Sequence, residues 1–187
     1  VGRHASFAGS FQCDLCKPSK SNAIPGQAEC LDCDAGKYQD QFGQTGCLLC
    51  SPGSSSLPSA ANCTTCEKGK FSPTDGQSTC QQCATGTFVN GSGAVQCSLC
   101  EIGKYSDELE SVLCKPCEQG RFSASPGASI CGQCAAGSYQ VRQGQASCDP
   151  CPPQTFQGSS GKNECVICPP GTRNPADGQT SCESCPP

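Results

Sequence analysis

The sequence is poor in large apolar side chains. It has no tryptophan and no methionine, and leucine, isoleucine, valine and phenylalanine together number twenty-five among 187 residues. A chain of this length ordinarily buries a sizeable hydrophobic core. So small an apolar fraction excludes such a core, and without its cysteines the composition would be typical of a disordered segment.

Basic charge and long apolar runs are scarce as well. The 12 Lys and Arg side chains are outnumbered by 16 Asp and Glu, which gives a formal net charge of −4. This balance offers no basic surface for nucleic acid or for an anionic membrane. No run is long and apolar enough to span a bilayer. We therefore expect no nucleic-acid partner and no membrane insertion in this segment.

Catalytic constellations are missing too. His4 is the one histidine, and its position in the repeat described below makes it a variant of an aromatic residue. The sequence contains no nucleophile–base–acid set, no cleft with paired carboxylates and no glycine-rich phosphate loop followed by a helix. We predict that the chain is not an enzyme and binds no cofactor.

Cysteine, by contrast, is abundant. All 22 cysteines fall in eleven Cys-x-x-Cys pairs. Disulfides can replace the missing hydrophobic burial, and they persist only in an oxidising compartment. This places the chain outside the cell or on the cell surface. Because no signal peptide precedes the cysteines, we expect the sequence to be a piece of a longer secreted protein.

A repeat of 17 residues organises the sequence. In the stretch Cys66–Cys83, counting from the second cysteine of a pair, glycine follows at +3, an aromatic residue at +5 and glycine at +10, and the next pair opens at +14. Residues 1–12 form a partial repeat, with Gly2, His4 and Gly9 at the +3, +5 and +10 positions. Residues 13–187 form ten full units, of which residues 50–63 are one residue short. We expect both ends to be cut from a longer array.

The repeat predicts a small disulfide-rich, irregular β fold. No helical period of apolar residues is present, and glycine and proline recur too often for helices. Each 17-residue unit is predicted to be a disulfide-closed hairpin, and the tandem units to form an elongated rod or solenoid. We expect the +10 glycine to have positive φ, the +3 glycine to let the backbone pass close to a cystine, and the +5 aromatic residue to fill a miniature core and cover a disulfide.

Metal and haem chemistry compete with disulfides for Cys-x-x-Cys pairs. Two pairs can make a four-cysteine zinc site, but eleven pairs cannot be shared evenly between such sites. A haem attachment site needs histidine after the second cysteine, and none of the eleven pairs has it. We therefore predict no metal site, and we interpret the cysteines as a ladder of structural disulfides.

Spacing alone does not determine the connectivity, and two regular schemes remain. Neighbouring pairs can cross-link two at a time, as Cys13–Cys30 with Cys16–Cys33, which strands one pair. Alternatively, the second cysteine of each pair joins the first of the next, which serves every unit identically and leaves Cys13 and Cys185 for partners in missing repeats. We favour the latter scheme. It pairs Cys16–Cys30, Cys33–Cys47, Cys50–Cys63, Cys66–Cys80, Cys83–Cys97, Cys100–Cys114, Cys117–Cys131, Cys134–Cys148, Cys151–Cys165 and Cys168–Cys182.

The pattern Cys-x-x-Gly-x-[Tyr/Phe]-x(4)-Gly-x-x-x-Cys-x-x-Cys resembles the ephrin-receptor-like cysteine-rich repeat. That repeat occurs in tandem in large extracellular proteins, including protist surface proteins and proteins of mastigonemes, the hair-like filaments on some flagella. The loop is also similar to the first sub-module of tumour-necrosis-factor-receptor repeats, which is closed by a disulfide of the Cys16–Cys30 type. The resemblance implies an extracellular module and does not specify a function.

Two further features concern the surface. Asn62-Cys-Thr and Asn90-Gly-Ser are N-glycosylation acceptors, and we expect both asparagines to carry glycans. Acidic residues at +1 and basic residues at +4 recur in four repeats. These charges are either a solvated face or a lateral docking stripe. The four pairs are Asp34/Lys37, Glu67/Lys70, Glu101/Lys104 and Glu118/Arg121.

The sequence thus predicts a structural segment of an extracellular rod or filament, within a larger surface or fibre glycoprotein. Its partners would be other copies or other subunits of the assembly. The alternative is the stalk or ligand-binding region of a cell-surface receptor or adhesin. Near-identical repeats favour the structural role, whereas a divergent repeat with exposed apolar residues would favour binding.

Overall fold

A computed structural model describes residues 1–5 and 12–186. Over these residues it contains no helix, and 22 strands of two residues pair into eleven antiparallel hairpins. This confirms the disulfide-rich irregular β fold. Gly9, assigned above to the +10 position of the partial repeat, lies outside the described residues. The strands are β1 Arg3–His4, β2 Asp14–Leu15, β3 Lys20–Ser21, β4 Leu31–Asp32, β5 Lys37–Tyr38, β6 Leu48–Leu49, β7 Ser54–Ser55, β8 Thr64–Thr65, β9 Lys70–Phe71, β10 Gln81–Gln82, β11 Thr87–Phe88, β12 Ser98–Leu99, β13 Lys104–Tyr105, β14 Lys115–Pro116, β15 Arg121–Phe122, β16 Gly132–Gln133, β17 Ser138–Tyr139, β18 Asp149–Pro150, β19 Thr155–Phe156, β20 Val166–Ile167, β21 Thr172–Arg173 and β22 Glu183–Ser184.

Each hairpin pairs the residues at +4 and +5 with the two residues between the cysteines of the next pair. In the repeat that Cys33 opens, Lys37 lies opposite Leu49 and Tyr38 opposite Leu48. A tight turn precedes the first strand, with the Lys37 N–H donating to the carbonyl of Asp34 at 3.0 Å. Since two-stranded ribbons of this size are not stable alone in water, we expect the hairpins to depend on covalent closure and on contacts with neighbouring repeats. We name each repeat below by the cysteine that opens it.

Backbone hydrogen bonds also join each repeat to the next within a compact unit. From the Cys33 repeat, the Gly36 N–H donates to the Ser56 carbonyl at 2.8 Å and the Gln39 N–H to the Ala60 carbonyl at 3.2 Å. In return, the Ser59 N–H donates to the Cys33 carbonyl at 2.8 Å. The same bonds recur at equivalent positions, so the loop of one repeat supplies the backbone partners of its neighbour.

Glycine backbones bring repeats two apart into contact as well. A Cβ atom on Gly103, at +3 of the Cys100 repeat, would overlap the carbonyl oxygen of Gly144, at +10 of the Cys134 repeat. Equivalent +3 and +10 glycines face each other in the same way elsewhere. The +10 glycines have positive φ as predicted. The +3 glycine lies beside a cystine as expected, since the Gly103 carbonyl accepts from the N–H of the disulfide-bonded Cys117. Its missing Cβ also leaves room for a backbone carbonyl two repeats away, which was not expected.

The short repeat at residues 50–63 keeps this geometry by shifting its turn. Ser59, at +9, takes the place of the +10 glycine with a φ of 59°. Its N–H donates to the carbonyl of Cys33, as the +10 glycines do in other repeats. The deleted residue therefore lies between Ser56 and Ser59, after the first strand and before the turn.

The chain divides into two compact units. The first consists of Val1–Cys83 and Val89–Cys97, and it contains the hairpins from β1–β2 to β9–β10. The second consists of Ala84–Phe88 and Ser98–Pro187, and it contains the hairpins from β11–β12 to β21–β22. Each unit is built from the same hairpin and the same contacts between repeats.

Candidate functional site

Cysteine forms the interior of the molecule. Among the described residues, every buried apolar side chain is a cysteine, and nine of the ten open a repeat and are at most 1% exposed. The aromatic side chains at +5 are only half-buried. The prediction that the aromatic residues form a miniature core is therefore wrong for the innermost layer, because cystine occupies it. The buried cysteines are Cys16, Cys33, Cys50, Cys66, Cys83, Cys100, Cys117, Cys131, Cys134 and Cys151.

Ten disulfides close the repeats in the structure. Each joins the second cysteine of a pair to the first cysteine of the next pair, 13 residues later in the short repeat and 14 in the others. Cys13 and Cys185 are free and exposed. The bonds are Cys16–Cys30, Cys33–Cys47, Cys50–Cys63, Cys66–Cys80, Cys83–Cys97, Cys100–Cys114, Cys117–Cys131, Cys134–Cys148, Cys151–Cys165 and Cys168–Cys182.

The +5 side chain of one repeat lies beside the disulfide of the next. The hydroxyl of Ser21 is 3.5 Å from Cys47 Sγ, and the hydroxyl of Ser55 is 3.4 Å from Cys80 Sγ. A disulfide sulfur carries no hydrogen, so each hydroxyl donates. Where +5 is aromatic, as at Tyr105, the ring lines a groove together with the closing cysteine of the following repeat. The +5 residue therefore shields the neighbouring cystine from solvent.

Shallow grooves recur between consecutive repeats. Each is lined by the +5 residue of one repeat and by the +1, +4 and closing cysteine residues of the next. One such groove, of about 190 Å³, is lined by Phe88, Glu101, Lys104, Leu113 and Cys114. The groove beside the short repeat has a volume of about 340 Å³. These volumes lie at or below the lower end for small-molecule sites.

The acidic and basic residues in these grooves form local ion pairs. Lys37 Nζ lies 3.0 Å from Asp34 Oδ2, and Lys104 Nζ lies 2.8 Å from Glu101 Oε2. The hydrogen bond from Lys104 lowers the pKa of Glu101 below its usual value. Arg121 donates to the carbonyl of Cys131. Because both Lys–carboxylate pairs are exposed, they contribute little to stability.

A set of buried polar residues at +6 was not recognised from the sequence. Gln140 is 4% exposed, and its Oε1 accepts from the Arg142 N–H at 3.0 Å while its Nε2 donates to the Ser147 carbonyl at 2.9 Å. The equivalent residue is asparagine, glutamine or serine in every full repeat except the one that holds Val89. The recurrence of a polar residue at +6 could have predicted this buried set. It was not noticed because most other positions of the repeat are polar as well. The set is Asn22, Gln39, Ser56, Ser72, Ser106, Ser123, Gln140, Gln157 and Asn174.

Replacing Gln140 with leucine is expected to destabilise its loop. The substitution leaves the Arg142 N–H and the Ser147 carbonyl without partners, which costs about 1–3 kcal/mol for a buried polar group. Gln143→Leu, on an exposed side chain in the same loop, serves as the control. Hydrogen exchange of the Arg142 amide measures the difference. Equal exchange rates in the two variants would contradict the role of Gln140.

One group of possible metal ligands occurs in the described residues. His4, Cys16 and Cys30 bring a ring nitrogen and two sulfurs within 4.8 Å of one another. Both sulfurs belong to one disulfide, and a metal site needs thiolates. In the oxidised protein this group is therefore a cystine with an imidazole beside it, and not a ligand set.

The two predicted glycosylation sites lie on the surface. Asn62 and Asn90 are both exposed, and neither is part of a strand. Asn62 precedes Cys63, which is bonded to Cys50. Asn90 lies in the loop after β11. Both side chains are accessible for modification.

Comparison with known families decides how the repeats are classified. The sequence profile of the tyrosine-protein kinase ephrin type A/B receptor-like family matches the chain four times, over residues 21–62, 53–96, 86–130 and 127–162. Together these matches cover more than half of the chain. The chain belongs to this family. No curated protein matches it.

Membership of the ephrin-receptor-like family agrees with the disulfide-rich structure. Cysteine-rich repeats of this family are not enzymatic modules. Ten disulfides and the family together point to an extracellular or secreted domain with a structural or receptor-like role. In the described part of the chain, no helix has the length and apolar character that a membrane span requires.

Proposed function

We propose that this chain is a structural segment of an extracellular assembly, in which its repeats act as a stiff spacer within a larger surface or fibre glycoprotein. The observation that carries the proposal is the identical reuse of one closed hairpin. Among the described residues, ten of the eleven hairpins are closed by a disulfide, and neighbouring hairpins are hydrogen-bonded at equivalent backbone positions. A cystine interior resists local unfolding and proteolysis, and these are the properties that a load-bearing segment needs.

The partners in this proposal are other copies of the chain or other subunits of the same filament, as in the mastigonemes whose proteins have similar repeats. The exposed ion pairs of the grooves, such as Lys104–Glu101, offer lateral contacts. Glycans on Asn62 and Asn90 would cover the polar surface that a chain without a hydrophobic core exposes. We place the parent protein at the cell surface.

A second function, ligand binding by a receptor or adhesin stalk, is favoured by one local feature. The side chains of Leu113 and Ile130, at +13 of two consecutive repeats, are 61% and 73% exposed. They line the grooves that also contain Phe88 and Tyr105. Every other full repeat has a polar residue or glycine at this place. Exposed apolar side chains beside aromatic rings are typical of contact surfaces.

Electron microscopy of the parent protein, purified natively from its source, tests the structural proposal. We expect ordered filaments with a fixed subunit repeat, and mass spectrometry of the same material should find glycans on Asn62 and Asn90. Separate flexible particles would overturn the filament proposal and favour a receptor or adhesin stalk. In that case, replacing Leu113 and Ile130 with serine should reduce ligand binding, whereas Val166→Ser and Ile167→Ser should not.

A further inference from the structure

The disulfide Cys16–Cys30 has surroundings that no other disulfide of the chain shares. Its neighbour at the +5 position is His4, the only histidine, and Nδ1 of the ring lies 3.3 Å from Cys30 Sγ. Because a disulfide sulfur carries no hydrogen, the ring N–H donates to it. A histidine N–H beside a disulfide provides a proton for the thiolate that is released when the bond breaks.

Positive charge distinguishes this repeat as well. The Cys16 repeat has lysine at both +1 and +4, namely Lys17 and Lys20. No other repeat has a basic residue at +1. Lys20 is paired with Asp32 at 3.0 Å. Among the described residues Lys17 has no carboxylate partner. Its charge is therefore available to stabilise an anionic sulfur.

A cavity gives access to one of the two sulfurs. It has a volume of about 470 Å³ and is lined by Cys30 together with His4, Lys17, Lys20, Ala28 and Glu29. Cys30 is half-buried at its wall, whereas Cys16 is fully buried. The cavity therefore leads an incoming thiolate towards Cys30 and not towards Cys16. The cavity is large enough for a small peptide-like thiol.

We propose that Cys16–Cys30 is a site of thiol–disulfide exchange with small anionic thiols of the glutathione class. The thiolate attacks Cys30 Sγ and forms a mixed disulfide there. The Cys16–Cys30 bond breaks and its electron pair goes to Cys16 Sγ. That sulfur takes a proton from the His4 ring, which has a nitrogen within 4.8 Å of both sulfurs. A second thiol molecule can then attack the mixed disulfide, which releases the oxidised thiol dimer and leaves both cysteines reduced.

The Cys33–Cys47 disulfide is a matched comparison within the chain. It also lacks an aromatic neighbour, because Ser21 occupies the +5 position and donates to Cys47. Its groove contains Asp34 and Lys37, which are paired at 3.0 Å. That groove also reaches the closing cysteine, but it contains no imidazole and no lysine without a carboxylate partner.

The test uses the secreted chain with Cys13→Ser and Cys185→Ser, so that no internal thiol starts the exchange. After incubation with glutathione and rapid alkylation, peptide mapping identifies each opened disulfide. We expect glutathione on Cys30 and alkylated Cys16 to form about tenfold faster than adducts of Cys33 or Cys47. Comparable rates at the two disulfides, or glutathione mainly on Cys16, would overturn the proposal.

Two variants distinguish this chemistry from a loosely closed hairpin. His4→Phe restores the aromatic residue that most other repeats have at +5, and Lys17→Glu introduces the acidic residue that four other repeats have at +1. Each should slow the reaction at Cys30 about fivefold. The rate at Cys47 should stay unchanged in both. A hairpin that merely opens easily would react equally fast in the variants, and that result would show the exchange site to be absent.

Discussion

Complete reduction of the ten disulfides is expected to unfold the chain under otherwise native conditions. The buried apolar side chains of the described residues are all cysteines, so no hydrophobic core is left once the bonds are broken. Closing a loop of this length stabilises a folded chain by about 3 kcal/mol in the chain-entropy model. Ten such loops exceed the net stability of about 5–15 kcal/mol that is typical of a domain.

Amide proton dispersion in a two-dimensional NMR spectrum measures this effect. The oxidised chain should give dispersed amide signals, and the reduced, alkylated chain should give the narrow range of an unfolded one. As a control, alkylation of Cys13 and Cys185 without reduction should leave the spectrum unchanged, because both are free and exposed. A dispersed spectrum after complete reduction would mean that the backbone contacts between repeats hold the fold by themselves.

Replacement of Gly103 with alanine is expected to be among the most damaging of the conservative single substitutions. A Cβ there would overlap the carbonyl oxygen of Gly144, and both atoms belong to backbones that their own hydrogen bonds fix. The φ of +78° adds strain for any side chain. The total loss of stability should exceed the strain of about 1–2 kcal/mol that the positive φ alone causes. The Cys117 amide donates to the Gly103 carbonyl, and we expect its protection from hydrogen exchange to fall more than about 100-fold.

Gly171 provides the matched control for the steric part of this effect. It occupies the same +3 position with a φ of +84°, but a Cβ there would meet nothing within 4 Å. Gly171→Ala should therefore reduce protection of the Cys185 amide, which donates to the Gly171 carbonyl, by about 10-fold from the φ strain alone. Equal losses in the two variants would show that the contact between alternate repeats carries no energy.

The local structure could be predicted where a residue type strongly favours one backbone conformation or one kind of bond. Cysteine pairs, glycines and the turn after Gly-Lys-Phe-Ser predicted small hairpins, because each 17-residue period contains the same turn signals. The partner of the Lys70–Phe71 strand was not predicted. It consists of Gln81–Gln82 between two cysteines, and a strand of two residues is too short for an alternating pattern to appear.

Buried polar residues were missed for a related reason. Sequence patterns assign polar side chains to the surface, yet Asn22 is 2% exposed, and its Nδ2 donates to the Arg3 carbonyl of the preceding repeat. Its burial is a consequence of hydrogen bonding between backbones of consecutive repeats. Composition alone does not show which backbone carbonyls still need a hydrogen-bond donor once the repeats have packed together.

The sequence by itself determined the period, the disulfide-rich character and the family of this protein, because these depend on residue types at fixed spacing along the chain. Only the tertiary structure decided that Gly103 faces Gly144 and that His4 lies beside Cys30. Both contacts join different repeats. The distance between residues of different repeats depends on how successive hairpins pack, and no spacing along the chain encodes that packing.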